Sequence, residues 1–86
     1  MIHKTSIINK NTKIGSNVEI GPFCTLGDNV HIGEGCKLHS HINIQGDVEI
    51  GKNTEIFPFV SIGSIPQDLK YRGEKTKVII GSNCKI

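Results

Sequence analysis

The sequence predicts an all-β fold, a solenoid of short parallel strands, and three observations support this prediction. First, an aliphatic residue occupies every sixth position from Ile2 to Ile62 without a miss, and the phase returns at Ile80 and Ile86. Second, a glycine follows most of these positions, and a small or β-branched residue precedes most of them by two. Third, the apolar mass is aliphatic, with 15 Ile against three Phe, one Tyr and no Trp, which favours a narrow core.

The six-residue unit explains why the strands stack as coils. Its two inward positions alternate with an outward one, as in a strand, and two polar turn formers follow, such as Ser16-Asn17 or Lys52-Asn53. A hairpin would reverse the chain, whereas a coil that turns the same way at each corner keeps every Ile inside. Three such units therefore close one turn, with successive coils about 4.8 Å apart. This argument leaves the handedness of the coil open.

The period fails between Ile62 and Ile80, where Asp68 and Glu74 would have to face a dry interior and Pro66 could not donate to a strand ladder. The interruption predicts a protruding loop, which is either a functional segment or a tolerated insertion with solvated charges. The predicted organisation is hexapeptide β-helix coils at 1–63, a protruding loop at 64–79, and the start of the next coil at 80–86, where the chain ends in mid-repeat.

Composition excludes several classes. A length of 86 residues fits one small domain, and a net charge of +2 gives no argument for nucleic-acid binding. No apolar run is long enough for a membrane span, and the start of the chain does not resemble a signal peptide, so a cytoplasmic location is expected. The three cysteines all fall on inward positions and are predicted to be reduced packing residues: Cys24, Cys36 and Cys84.

Several motifs resemble the start of one enzyme family. They are Ile20-Gly-Pro-Phe-Cys24, Leu38-His-Ser-His41, Pro58-Phe-Val-Ser-Ile-Gly63, and Gln67-Asp-Leu-Lys-Tyr71 followed by Gly73-Glu74. Together they resemble the N-terminal part of the UDP-N-acetylglucosamine O-acyltransferases, the first enzymes of lipid A biosynthesis and members of the hexapeptide-repeat acyltransferases. The last of these motifs is the most specific.

The resemblance implies a left-handed β-helix, a homotrimer and a cytoplasmic enzyme without a cofactor. Such enzymes transfer a 3-hydroxyacyl group from acyl carrier protein to the 3-hydroxyl of UDP-N-acetylglucosamine. By resemblance, Gln67, Asp68 and Lys70 bind the sugar nucleotide or the acyl product. The family's general base is a His that would lie downstream of Ile86. No catalytic residue is therefore assigned in this chain, which is expected to be inactive alone.

The four histidines offer no substitute for that base. His31 and His39 are predicted to face outward and His41 to lie at a corner, and each is expected to be a surface or packing residue, as is His3. No third ligand accompanies His31 and His39, so no metal site is predicted.

Other interpretations remain open at this stage. One is a non-catalytic hexapeptide module that assembles or binds a partner; another is a different nucleotide-sugar acyltransferase of the same fold, such as the later N-acyltransferase of the pathway. Because a solenoid with open ends exposes an unpaired strand edge, the isolated chain is predicted to be trimeric or prone to aggregation.

Overall fold

The computed structural model describes residues 1–63 and 77–86, which form eleven short strands paired in parallel. The predicted all-β solenoid is confirmed. In the described residues no helix is long and apolar enough to cross a membrane. The strands are β1 Ile7–Ile8, β2 Lys13–Ile14, β3 Glu19–Ile20, β4 Thr25–Leu26, β5 Val30–Ile32, β6 Lys37–Leu38, β7 Asn43–Ile44, β8 Asp47–Ile50, β9 Glu55–Ile56, β10 Ser61–Ile62 and β11 Lys77–Ile80.

Every third strand joins the same sheet, so the solenoid has three faces. What we call the charged face consists of β3, β6 and β9, with the outward residues Glu19, Lys37 and Glu55, and Lys85 bridges to Glu55. The neutral face consists of β1, β4, β7 and β10, with the outward residues Ile7, Thr25, Asn43 and Ser61. The third face consists of β2, β5, β8 and β11, with the outward residues Lys13, His31, Glu49 and Ile79.

The core is a set of stacked aliphatic columns. Residues aligned along a face are separated by one full coil of sequence, so Leu26, Ile44 and Ile62 lie one above the other. Ile44 and Ile56 are completely buried. Each buried aliphatic side chain contributes about 1.5–3 kcal/mol of transfer free energy. The interior therefore stabilises the coils through stacking between neighbours, as the six-residue period predicts.

Small polar residues at inward positions do more than fill space. Their hydroxyl or thiol groups donate hydrogen bonds to the carbonyl oxygens of glycines at the corners of the coil above. The bonds are Ser6 to Gly21 at 2.7 Å, Thr12 to Gly27 at 2.7 Å, Cys36 to Gly51 at 3.0 Å and Thr54 to Gly81 at 2.9 Å. All three cysteines are free thiols, and Cys36 is a donor as well as the packing residue that the sequence predicts.

The stacked strands of the solenoid, which form its wall, resume earlier in the chain than the predicted loop boundary at residue 79. Residues 77–79 were assigned to the loop, but β11 begins at Lys77 and pairs along its full length with β8. The physical reason is that Val78 stacks on Val48 in the small inward position, two residues before Ile80. Val48 stacks on both Val30 and Val78. The chain between Val48 and Val78 is longer than the chain between Val30 and Val48 by the length of two six-residue units.

Candidate functional site

The predicted substrate-binding residues Gln67, Asp68 and Lys70 lie outside the described residues. What the structure describes is the corner from which their segment departs. The chain leaves the neutral face at Gly63, after β10, and rejoins the third face at β11. Gly63 has a left-handed backbone, with φ +69°, and a Cβ atom there would collide with the carbonyl oxygen of Gln45. Only glycine fits this point of departure without strain.

A histidine–glutamate pair links two coils on the charged face. His39 follows β6, and its Nε2 atom lies 2.6 Å from Oε2 of Glu55 in β9. The hydrogen bond from His39 lowers the pKa of Glu55; partial burial opposes this shift, and the charges of His39, Lys37 and Lys85 add to it. Phe57 stacks on the imidazole ring with centroids 4.9 Å apart. His39 faces outward as the sequence predicts, whereas its partner Glu55 was not predicted.

An open groove of about 540 Å³ borders this pair. Acidic and basic side chains and two imidazole rings line its rim, together with the backbone of β3, β6 and the corners that follow these strands. The polar and charged lining residues are His3, Glu19, Lys37, His39 and Ser40. Nδ1 of His3 is engaged by the Thr5 hydroxyl at 2.8 Å, which ties that ring to its own coil. Neither the groove nor any other part of residues 1–63 and 77–86 groups three or more His, Cys, Asp or Glu for a metal ion.

Three ring side chains form what we call the aromatic corner, between the charged and neutral faces: Phe23, His41 and Phe59. Ring centroids are 5.1 Å apart between Phe23 and His41, and 4.9 Å apart between His41 and Phe59. All three have left-handed backbones, with φ +59°, +54° and +65°, which costs about 1–2 kcal/mol for an L-residue. Phe23 is 58% exposed and Phe59 78% exposed.

His41 lies at a corner, as the sequence predicts. Its stacking with Phe23 and Phe59 was not predicted. The signal was available, because the three rings recur at the spacing of one full coil and so occupy the same corner of successive coils. Strained and exposed rings stacked in this way form a surface suited to burial against another molecule.

His31 lies on the third face, exposed, between Lys13 and Glu49 of the neighbouring strands, as predicted for an outward residue. Glu49 also pairs with Lys77 of β11 at 3.5 Å. This arrangement is a cross-strand column of polar and charged side chains on an exposed surface, which contributes modestly to stability.

No protein-family model matches the chain. The chain is 51% identical over 82 residues to the acyl-[acyl-carrier-protein]–UDP-N-acetylglucosamine O-acyltransferase of Rickettsia peacockii, covering 95% of this chain and 31% of that protein. It is 55% identical over 82 residues to the enzyme of the same name from Thermodesulfovibrio yellowstonii, with 95% and 32% covered. The chain therefore spans about a third of the length of these relatives.

Solved structures give the same result. A crystal structure of a UDP-N-acetylglucosamine acyltransferase superimposes with a TM-score of 0.93 at 51% identity, covering all of this chain and 33% of that one. The UDP-N-acetylglucosamine O-acyltransferase of Moraxella catarrhalis gives a TM-score of 0.91 at 45% identity, covering 99% of this chain and 33% of that one. These neighbours confirm the left-handed sense of the β-helix. Over nearly its whole length, the chain is therefore similar to an N-terminal part of the UDP-N-acetylglucosamine O-acyltransferases.

Proposed function

We propose that this chain is the N-terminal part of a cytoplasmic enzyme that transfers a 3-hydroxyacyl group from acyl carrier protein to the 3-hydroxyl of UDP-N-acetylglucosamine. The observation that supports this most strongly is the identity of about 50% over 95% of the chain with enzymes of that name. The fold adds support, because the described coils superimpose on a solved member over their whole length.

Within this proposal, the segment that leaves the wall at Gly63 binds substrate. The carboxylate of Asp68 accepts hydrogen bonds from sugar hydroxyls, and the amide of Gln67 both donates and accepts. The ammonium group of Lys70 donates to a phosphate or carbonyl oxygen. The proton of the attacking sugar hydroxyl goes to a histidine that lies beyond Ile86 in the family, so these three residues position substrate and do not carry out the proton transfer.

Binding of UDP-N-acetylglucosamine tests the assignment, measured by calorimetry on this chain within its full-length protein. Asp68→Ala should weaken binding about tenfold or more, because a hydrogen bond to a charged group contributes about 1.5–3 kcal/mol. Asp28→Ala is the matched control, since Asp28 is an exposed carboxylate just after β4, at the same corner of the wall two coils below β10. Equal affinities for the two variants would show that the segment does not bind the sugar nucleotide.

The proposed enzyme is a homotrimer, and the neutral face is the surface that suits a subunit contact. Its outward side chains carry no charge, and Ile7 among them is 69% exposed. The aromatic corner borders the same face and adds the exposed rings of Phe23 and Phe59. Aromatic enrichment and depletion of charge are the features that distinguish the centre of an interface from other surface.

A further inference from the structure

The apolar packing inside the solenoid does not by itself determine the order in which the coils stack. Along each face, consecutive inward positions hold Ile, Leu, Val or another small residue, so one coil packs on the next but one almost as well as on its true neighbour. The column Ile14, Ile32, Ile50 and Ile80 on the third face shows this uniformity. Repeats of this kind are prone to pair out of order during folding.

The charged face differs, because its outward charges alternate in sign from coil to coil. In the backbone register, Glu19 lies beside Lys37, Lys37 beside Glu55, and Glu55 beside Lys85. Opposite charges directly across neighbouring strands attract, whereas like charges in that position repel. The lowered pKa of Glu55 is consistent with this column, since His39, Lys37 and Lys85 all favour its ionised form.

We propose that the alternating column Glu19, Lys37, Glu55 and Lys85 keeps the coils in order by opposing any pairing that skips a coil. If the coil that carries Lys37 loops out, Glu19 faces Glu55. If the coil that carries Glu55 loops out, Lys37 faces Lys85. On this face, each skip therefore replaces two neighbouring pairs of opposite charge with one pair of like charge, while the apolar columns inside remain matched.

The other two faces do not provide this discrimination. The neutral face presents only uncharged outward residues. On the third face, a skip that also removes β5 brings Lys13 next to Glu49, an attractive pair, so this face favours that skip and only the like pair on the charged face opposes it. The charged face alone among the three penalises both skipped arrangements within the described residues.

Two native thiols report on the proposal. Cys24 and Cys36 are buried and directly precede β4 and β6, so both leave the interior when β4 to β6 loop out and Glu19 faces Glu55. Refolding from denaturant, followed by a pulse of iodoacetamide and mass spectrometry, measures the fraction of molecules in which these thiols are accessible. Cys84, in a different coil, distinguishes a looped coil from global unfolding, because only the latter raises its labelling too.

The informative variant exchanges two charges, Glu19→Lys with Lys37→Glu, and so leaves composition, net charge and the His39–Glu55 bond unchanged. Its native register then contains a like pair, Glu55 beside the new carboxylate, and its skipped register contains an opposite pair. We expect about a two- to fivefold increase in labelling of Cys24 and Cys36, with Cys84 at its native rate.

The matched control reverses the whole column, with Glu19→Lys, Lys37→Glu, Glu55→Lys and Lys85→Glu, and restores alternation. The full reversal also removes the His39–Glu55 bond, so its reference is the single variant Glu55→Gln, which lacks the same bond. Labelling of Cys24 and Cys36 should return to the level measured in that single variant. Wild-type labelling in the exchange variant, or no recovery in the full reversal, would overturn the proposal. If the exchange variant fails to fold, recovery of folding in the full reversal supports a role of the alternating charges in coil order. Failure of both variants to fold refutes it.

Discussion

Thr54 shows how single inward residues connect adjacent coils. The residue is completely buried, and its hydroxyl donates to the carbonyl oxygen of Gly81 at 2.9 Å, so its polarity is satisfied inside an aliphatic column. Thr54→Val keeps the shape but removes the donor. We expect the free energy of unfolding to fall by about 1 kcal/mol in chemical denaturation. Thr54→Ser keeps the hydroxyl and should lose less of this hydrogen-bond contribution; if Val is as stable as the wild type, the bond contributes nothing.

Glu55 gives the molecule a defined response to acid. Its pKa is lowered in the folded state, first by the hydrogen bond from His39, so the ionised form stabilises the fold. This contribution is fully present above the ordinary pKa of 4.5 and is lost as the pH falls through the lower pKa of the folded state. As the pH falls below 4.5, the wild type should therefore lose more stability than Glu55→Gln, as measured by thermal unfolding at each pH. Parallel losses in the two proteins would contradict the assignment.

At the scale of elements, the end of β10 decides where the inserted segment leaves the wall. Gly63→Ala forces a left-handed alanine against the backbone of Gln45, and we expect a loss of at least about 1–2 kcal/mol of unfolding free energy. Gly81→Ala is the control, because a Cβ atom there would meet only the sulfur of Cys84, at 3.8 Å. Similar melting temperatures for the two variants would show that the turn at Gly63 tolerates a side chain.

The sequence was sufficient for the elements but not for their lateral contacts. The six-residue period predicted which side of strands β1 to β10 faces inward, because the alternation of a strand leaves one buried set. It did not predict the His39–Glu55 bond, which runs obliquely between coils and depends on side-chain rotamers. It also placed the return of the wall at Ile80, because Val78 was not recognised as the small inward residue that pairs with Val48.

For the whole molecule, the proposed subunit contact can be tested by exchanging one exposed isoleucine at a time. Ile7 on the neutral face and Ile79 on the third face are both 69% exposed and both point outward from strands. Ile7→Lys should shift the mass measured by light scattering from trimer toward monomer, because it places a charge in the contact. Ile79→Lys should leave the mass unchanged. If only the second variant dissociates, the contact lies on the third face.

The additional stretch of chain between β10 and β11 has an evolutionary consequence. It begins and ends at one corner, and β11 aligns on β8 as though the intervening residues were absent. The register of the coils is therefore set by residues on either side of that stretch. Descendants of this protein can therefore inherit the same stacked coils even where the stretch between β10 and β11 differs in sequence.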